Sequence, residues 1–310
     1  MITGNDVLQG LLSTRRNACT VRAYKGDLEK FFEFHSGTSA TSDVVLAFVS
    51  LPIPELSVSL GRYKRYMLAA TYAEATINRR IAAVCALLKV AYRLGVSASD
   101  GRSLIDSETV VPRRDTRGPS MDKVKQLLEL PEAVHGQGSV AALRDKAMFS
   151  LLFMNGLRAG ELVALNISDY HPNENRLYIK GKGMGSQKAP VTLSENAISA
   201  IDVYLGRSGH KESALFVNIA RNNPCKNLPV RLSYSGLYKI LARYGDQMGF
   251  NMSPHKIRHS AITALLHATQ GNIVEVQRFS RHMHPASVLV YNDNREDAQG
   301  KMSKLLADLV

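Results

Sequence analysis

The sequence predicts a mainly α-helical protein of two domains, with one small β-sheet confined to the second, and three observations carry that expectation. Apolar residues recur at three- and four-residue spacings through most of the 310-residue chain. One pair of β-type runs, 176–180 and 189–193, flanks a turn rich in glycine and lysine. Periodicity stops between Ser97 and Ser120, where Gly101, Pro112, Arg113, Arg114, Arg117, Gly118 and Pro119 crowd together. A chain of this length can bury two separate cores.

The first helix read from the pattern starts at Thr20, a suitable N-cap, and draws its stripe from Val21, Tyr24, Leu28, Phe31 and Phe32. Gly37 and the Ser/Thr-rich stretch to Ser42 end it. A short apolar helix over 44–49 follows, and Pro52 and Pro54 break it before another begins near Glu55. From 76 to 94 the series Ile77, Ile81, Val84, Leu88, Ala91 continues, and Gly95 sits where a helix end takes a left-handed residue. Arg62, Lys64, Arg65, Arg79, Arg80, Lys89 and Arg93 fall largely outside these stripes, as either a solvated basic face or a DNA-binding one.

The expected organisation is a helical domain over 1–100, a basic linker over 101–119 and a second domain over 120–310. Arg113, Arg114 and Arg117 in the linker are candidates to track a DNA backbone. Ser120 caps the first helix of the second domain, helices over about 139–155 and 160–165 precede the hairpin, and others follow at about 195–206, 234–248, 254–268 and 272–281. A last helix over 296–310 carries Met302, Leu305, Leu306 and Leu309 on one face, to be folded back on its own domain or docked on another molecule.

Composition narrows the function. No apolar run approaches the roughly 18 residues of a membrane span, and Met1-Ile-Thr-Gly-Asn-Asp lacks the basic start and apolar stretch of a secretory signal. Cys19, Cys85 and Cys225 are odd in number and far apart, which suits a reducing compartment and excludes a Cys-pair metal motif. A formal charge of +12 and a pI near 9.6 favour a polyanionic partner such as double-stranded DNA.

Four local patterns then occur in order. Arg158 and Glu161 stand one helical turn apart in Gly156-Leu-Arg-Ala-Gly-Glu, a geometry shared with any surface ion pair. Lys182 lies between Gly181 and Gly183, where glycines let a lysine approach a ligand closely. Ser253-Pro254 start a helix that puts His255 and Arg258 on one face near its positive end. His282 precedes Tyr291 by nine residues, after an apolar Val-Leu-Val that would equally suit a core aromatic.

Each pattern alone is common. Together, in this order and on a basic two-domain chain, they resemble the tyrosine recombinases, the phage-type integrases. The likeness extends to the N-terminal helices, with Thr20-Val-Arg-Ala-Tyr24 and Ala75-Thr-Ile-Asn-Arg79-Arg-Ile-Ala similar to a core-binding domain. It implies a helical core-binding domain plus a mixed α+β catalytic domain. Tyr291 is then the nucleophile, Arg158 and Arg258 are phosphate clamps, His255 is the base, Lys182 and His282 complete the catalytic set, and Glu161 supports them. The activity implied is site-specific cutting and rejoining of DNA through a 3′-phosphotyrosine and a four-way junction, without metal, ATP or another cofactor. Its setting would be the cytoplasm, on the nucleoid, with a tetramer assembled on two DNA sites through the last helix and no membrane partner.

The sequence departs from that family at one place: Arg281 stands where the family usually has glycine before the histidine, and it adds a candidate phosphate contact. His284 competes with His282, and Lys180 and Lys188 compete with Lys182. Rival readings are a type IB topoisomerase, an inactive DNA-binding regulator of the same fold, and a zinc enzyme built on His255, His259, His282 and His284. No His-Glu-x-x-His pattern supports the last. The short N-terminal part favours a simple recombinase on short paired sites. The DNA target, any accessory bending proteins and the genetic element served are not written in the sequence.

Overall fold

The computed structural model describes residues 2–14, 18–110, 118–181, 187–211, 213–219, 230–291 and 298–309. Lys182, Arg113, Arg114, Arg117 and Cys225 lie outside them. The chain divides into two compact units, residues 1–113 and 114–310.

The first unit holds α1 (Gly4–Ser13), α2 (Ala18–Ser36), α3 (Ser42–Val49), α4 (Ile53–Ala69) and α5 (Glu74–Arg93). Helix α1 lies ahead of the first helix that the apolar pattern predicts. Its start is a capping box, in which the Thr3 hydroxyl accepts the Asp6 N–H at 3.2 Å and the Asp6 carboxylate accepts the Thr3 N–H at 2.8 Å. Phe31 packs edge-on against Phe48 and Tyr63, at 4.8 and 5.2 Å between ring centroids, with Leu28, Leu60 and Leu88 buried around them. Each such side chain contributes about 1.5–3 kcal/mol by leaving water.

The start of the expected linker belongs to this unit. Asn78 donates to the Glu108 carbonyl and accepts the Glu108 N–H, both at 2.8 Å, while Lys64 pairs with the Glu108 carboxylate at 2.7 Å. These bonds join residues 30 or more positions apart, which no local pattern discloses.

In the second unit come α6 (Met121–His135), α7 (Val140–Met154) and α8 (Ala159–Val163). An antiparallel sheet follows, ordered β1 (Tyr170–His171), β2 (Arg176–Ile179), β3 (Ala189–Thr192), with Leu177 opposite both Tyr170 and Val191. The remaining helices are α9 (Glu195–Ser208), α10 (Tyr234–Gln247), α11 (Pro254–Ala268), α12 (Ile273–Ser280), α13 (Ala286–Leu289) and α14 (Ala298–Ala307). Packed among α6, α9 and α11, α7 is buried nearly all round, and its Met148, Phe149, Leu151 and Leu152 are wholly buried. Buried Asp145 on α7 is satisfied by Arg144 and by the Tyr244 hydroxyl at 2.9 Å, which ties α10 to the centre.

Two further features position the site. Ile262 and Leu266 of α11, Val276 of α12, Val288 of α13 and Tyr291 form a small core of their own. On α14, by contrast, Met302, Leu305, Leu306 and Leu309 are each more than half exposed. Among the described residues no single helix is long and apolar enough to cross a membrane.

Candidate active site

The site begins at the turn that ends α7. Gly156 has φ +53°, and a Cβ there would meet the Phe279 ring at 2.9 Å, so both the backbone and the packing demand glycine. The turn delivers Arg158 as the N-cap of α8, with Glu161 one turn on. Glu161 takes the Arg158 backbone N–H at 2.9 Å and its Nη1 at 2.7 Å, so the sequence pair is a fixed unit rather than a loose surface contact. Burial alone would raise the Glu161 pKa. The Arg158 N–H and the Arg281 and Arg158 charges outweigh it and hold the carboxyl below its usual range.

From the other side, Ser253 caps α11 by accepting the Lys256 N–H at 3.3 Å, and Pro254 supplies the first helical residue. That start brings Arg258 inward, only 2% exposed, where its guanidinium donates to the carbonyls of Gly156 and Ser280. Burial, then the neighbouring Arg158 and Arg281 charges, push its pKa well below the usual guanidinium range. His255, one turn earlier, is exposed.

Helix α12 ends in Arg281, whose backbone is left-handed at φ +56°. The next residue, His282, has its Nδ1 2.8 Å from the Ser280 hydroxyl, which leaves Nε2 for a ligand. Burial first, then Arg258, Arg158, Arg281 and His255, push its pKa down to about 4, so the ring is uncharged at neutral pH.

Tyr291 closes the arrangement. It is 7% exposed and anchored in the small core, with its carbonyl accepting the Thr263 hydroxyl at 3.3 Å. Its ring lies 4.8 Å from the His259 ring, 5.4 Å from His282 and 6.4 Å from His255, centroid to centroid. It also lies near enough to Arg258 to bear on that guanidinium's pKa, a small influence beside burial. Arg158 and Arg281 thus pair with one carboxylate, Glu161, and Arg258 lies close enough to both for their charges to lower its pKa. Three guanidiniums around that carboxylate leave positive charge in excess, and a phosphate anion would balance it.

Of the expected site residues, Arg158, Glu161, His255, Arg258, His282 and Tyr291 come together in this unit; Lys182 lies outside the described residues. Lys188, one alternative to it, is paired with buried Asp169. His259, outside the expected catalytic set, also lies beside Tyr291, and its place four residues after His255 puts it on the same helix face. Among the described residues no three His, Cys, Asp or Glu side chains are grouped to hold a metal ion.

The cations of the first unit sort unevenly. Arg62, Arg65 and Arg93 are exposed, as expected. Arg80 departs from the expectation of a side chain outside the apolar stripe: it is 8% exposed, because Asp27 is buried beside it and the Tyr72 ring covers it at 4.4 Å. Arg79 pairs with the same Asp27, and Lys64 is held by Glu108. Lys89 and Arg93 line one cleft with Arg102, a cation outside the expected set, and among the described residues no acidic one lines it.

Comparison with known proteins points to one family. The family model described as the phage integrase family matches residues 120–297. A tyrosine recombinase of Synechococcus elongatus is 36% identical over 98% of this chain and 94% of its own length. One from Synechocystis is 35% identical over 98% and 96%. Among solved structures, the XerH site-specific recombinase bound to a palindromic difH substrate, in a post-cleavage complex, superposes with a TM-score of 0.68 at 18% identity, covering 98% of this chain and 85% of that one. The Tn1549 transposon integrase in complex with transposon right-end DNA gives 0.63 at 15% identity, covering 98% and 100%. At those identities the two structures share the fold.

Proposed function

This chain belongs to the phage integrase family of tyrosine recombinases, and from that premise we propose that it breaks and rejoins DNA at specific sites through Tyr291 acting within its own subunit. The observation that carries the proposal is the clustering of Tyr291 with Arg258 and three imidazoles in a single unit.

In the first step the Tyr291 oxygen bonds to phosphorus as the bond from phosphorus to the 5′ oxygen breaks. The phenol, ordinarily with a pKa near 10, gives up its proton to His255. Arg158 and Arg258 face the non-bridging oxygens, whose charge grows in the transition state, so their bonds strengthen as the reaction proceeds. Uncharged His282 contributes a hydrogen bond through Nε2, and Lys182 returns a proton to the departing 5′ oxygen. The 3′-phosphotyrosine keeps the energy of the broken bond. A 5′ hydroxyl from the partner duplex can therefore attack it, restore the phenol and form a four-way junction, with no metal or ATP consumed.

Two sites must meet for strands to exchange. The unpartnered apolar face of α14 suits docking on the next subunit, repeated around a ring of four. The cleft of Lys89, Arg93 and Arg102 suits the DNA backbone, and the place of action would be the nucleoid in the cytoplasm. Integration, excision or resolution for a mobile element or a chromosome are all served by this chemistry.

The test is covalent trapping. Nicked duplex fragments from the source genome, incubated with the protein, should yield an SDS-resistant adduct whose position maps the site, and Tyr291→Phe should yield none. An adduct that survived in Tyr291→Phe, or DNA binding with no adduct on any fragment, would exclude the proposal. The second outcome would favour a regulator.

A further inference from the structure

We propose that Arg281 is a positioning residue for strand cleavage, bridging the Asn155 and Gly156 carbonyls to Glu161 so that Arg158 is held in place without being neutralised; this rests on the strand-transfer reading above. Its Nη1 donates to the carbonyls of Asn155 and Phe279 at 3.1 and 3.0 Å, and its Nη2 to the Gly156 carbonyl at 2.9 Å and to Glu161 Oε2 at 3.2 Å. Its own carbonyl accepts Arg158 Nη2 at 3.1 Å. Arg281 thus reaches Arg158 twice, once through its backbone and once through Glu161.

The residue costs stability in two ways. A φ of +56° strains any residue with a Cβ, and its Nε is buried without a hydrogen-bond partner. Glycine would hold the same turn with neither penalty, so the side chain is what this position adds. Local costs of this kind concentrate where function requires them.

The bonding pattern shows what the side chain does. Glu161 Oε1 serves Arg158 alone, whereas Oε2 is shared between the Arg158 N–H and the Arg281 guanidinium. With Arg281 present, one carboxylate is divided between two cations, and Arg158 keeps more of its charge for a phosphate. With Arg281 removed, Glu161 would neutralise Arg158 directly, and the Gly156 carbonyl would be left to Arg258. With four side-chain bonds to protein acceptors and two links that end on Arg158, it acts through Arg158.

The experiment uses the full chain and a nicked suicide duplex carrying the site recovered by adduct mapping. It measures single-turnover adduct formation against DNA concentration for Arg281→Gly, Arg281→Met and Arg281→Lys, each also combined with Glu161→Gln. Arg281→Gly should slow the rate at saturating DNA by about tenfold, with the half-saturating concentration within about twofold of wild type. In the Glu161→Gln background the same change should cost less than about threefold, because the two residues act as one unit. Arg281→Lys, which keeps the charge but not the fork, should recover part of the rate.

A folded Arg281→Gly protein cleaving at the wild-type rate would overturn the proposal. So would equal factors in the two backgrounds, or a loss confined to the half-saturating concentration. If melting shows that Arg281→Gly does not fold, Arg281→Met, which keeps the strained backbone and apolar stem, is judged by the same criteria. A wild-type protein that formed no adduct would remove the strand-transfer reading itself, and the role of Arg281 with it.

Discussion

Titrating the His282 ring by NMR, with and without inorganic phosphate, reads the electrostatics of the site without knowledge of the DNA target. In the free protein the imidazole should take its proton near pH 4, far below its ordinary 6.5, because it is partly buried and faces Arg258, Arg158, Arg281 and His255. A phosphate charge about 4 Å from the ring, at an effective dielectric near 20, favours the imidazolium by about 4 kcal/mol, or about three pKa units. Because the ring is only partly buried, screening reduces this to about one to two units. The bound pKa should therefore rise to between about 5 and 6, and sulfate should act similarly while chloride does not. Stability follows from the same shift: the unfolded ring protonates near 6.5 and the folded ring near 4, so stability present at neutral pH is lost as pH falls through that interval. A ring that titrated at 6.5 in the free protein, or that ignored phosphate, would refute the placement of His282 among the three guanidiniums.

Other expectations can be checked separately. Gly156→Ala should destabilise the second unit by about 1–2 kcal/mol for the left-handed backbone and about 1–3 kcal/mol for overpacking against Phe279. Phe279→Leu in the same chain should recover part of the loss in a denaturant titration, and independent effects of the two changes would contradict the contact. Deleting the residues after Glu296 should leave DNA binding intact but abolish recombination between two sites, and wild-type recombination by the shortened protein would reject a docking role for α14. Binding should weaken steeply with salt, by roughly a thousandfold between 50 and 200 mM if six or more phosphates are contacted; a flat dependence would remove the basic faces from the account.

What the sequence disclosed and what it hid have physical reasons. The stripe of Tyr24, Leu28, Phe31 and Phe32 identified α2 because a buried face imposes its period on the chain, and the glycine-rich turn between two β-type runs identified the hairpin. Helix α13 is four residues long and β1 two, too short for any period to register. Helix α1 was legible in principle, since Thr3 and Asp6 are a capping pair ahead of Val7 and Leu11. The burial of Arg80 was not, because it depends on Asp27 and Tyr72, neither of them adjacent in sequence.

The site shows the same division. Local patterns singled out Arg158, Glu161, His255, Arg258, His282 and Tyr291, each of them common alone, and the resemblance to the tyrosine recombinases assigned their roles. The sharing of Glu161 with Arg281 spans 120 residues and could be seen only once the chain was folded. Arg281 read from the sequence as an irregularity; in the fold it carries four hydrogen bonds.

Mixing two inactive proteins tests most directly whether one subunit supplies both the phenol and the guanidiniums. Tyr291→Phe and Arg258→Ala are each expected to fail in cleaving a nicked site. In a mixture they should still fail, because no subunit then contains a whole catalytic set. Cleavage restored in the mixture would mean that the tyrosine is donated across a subunit boundary, and would contradict the placement of Tyr291 beside His255, His259 and His282 of its own chain.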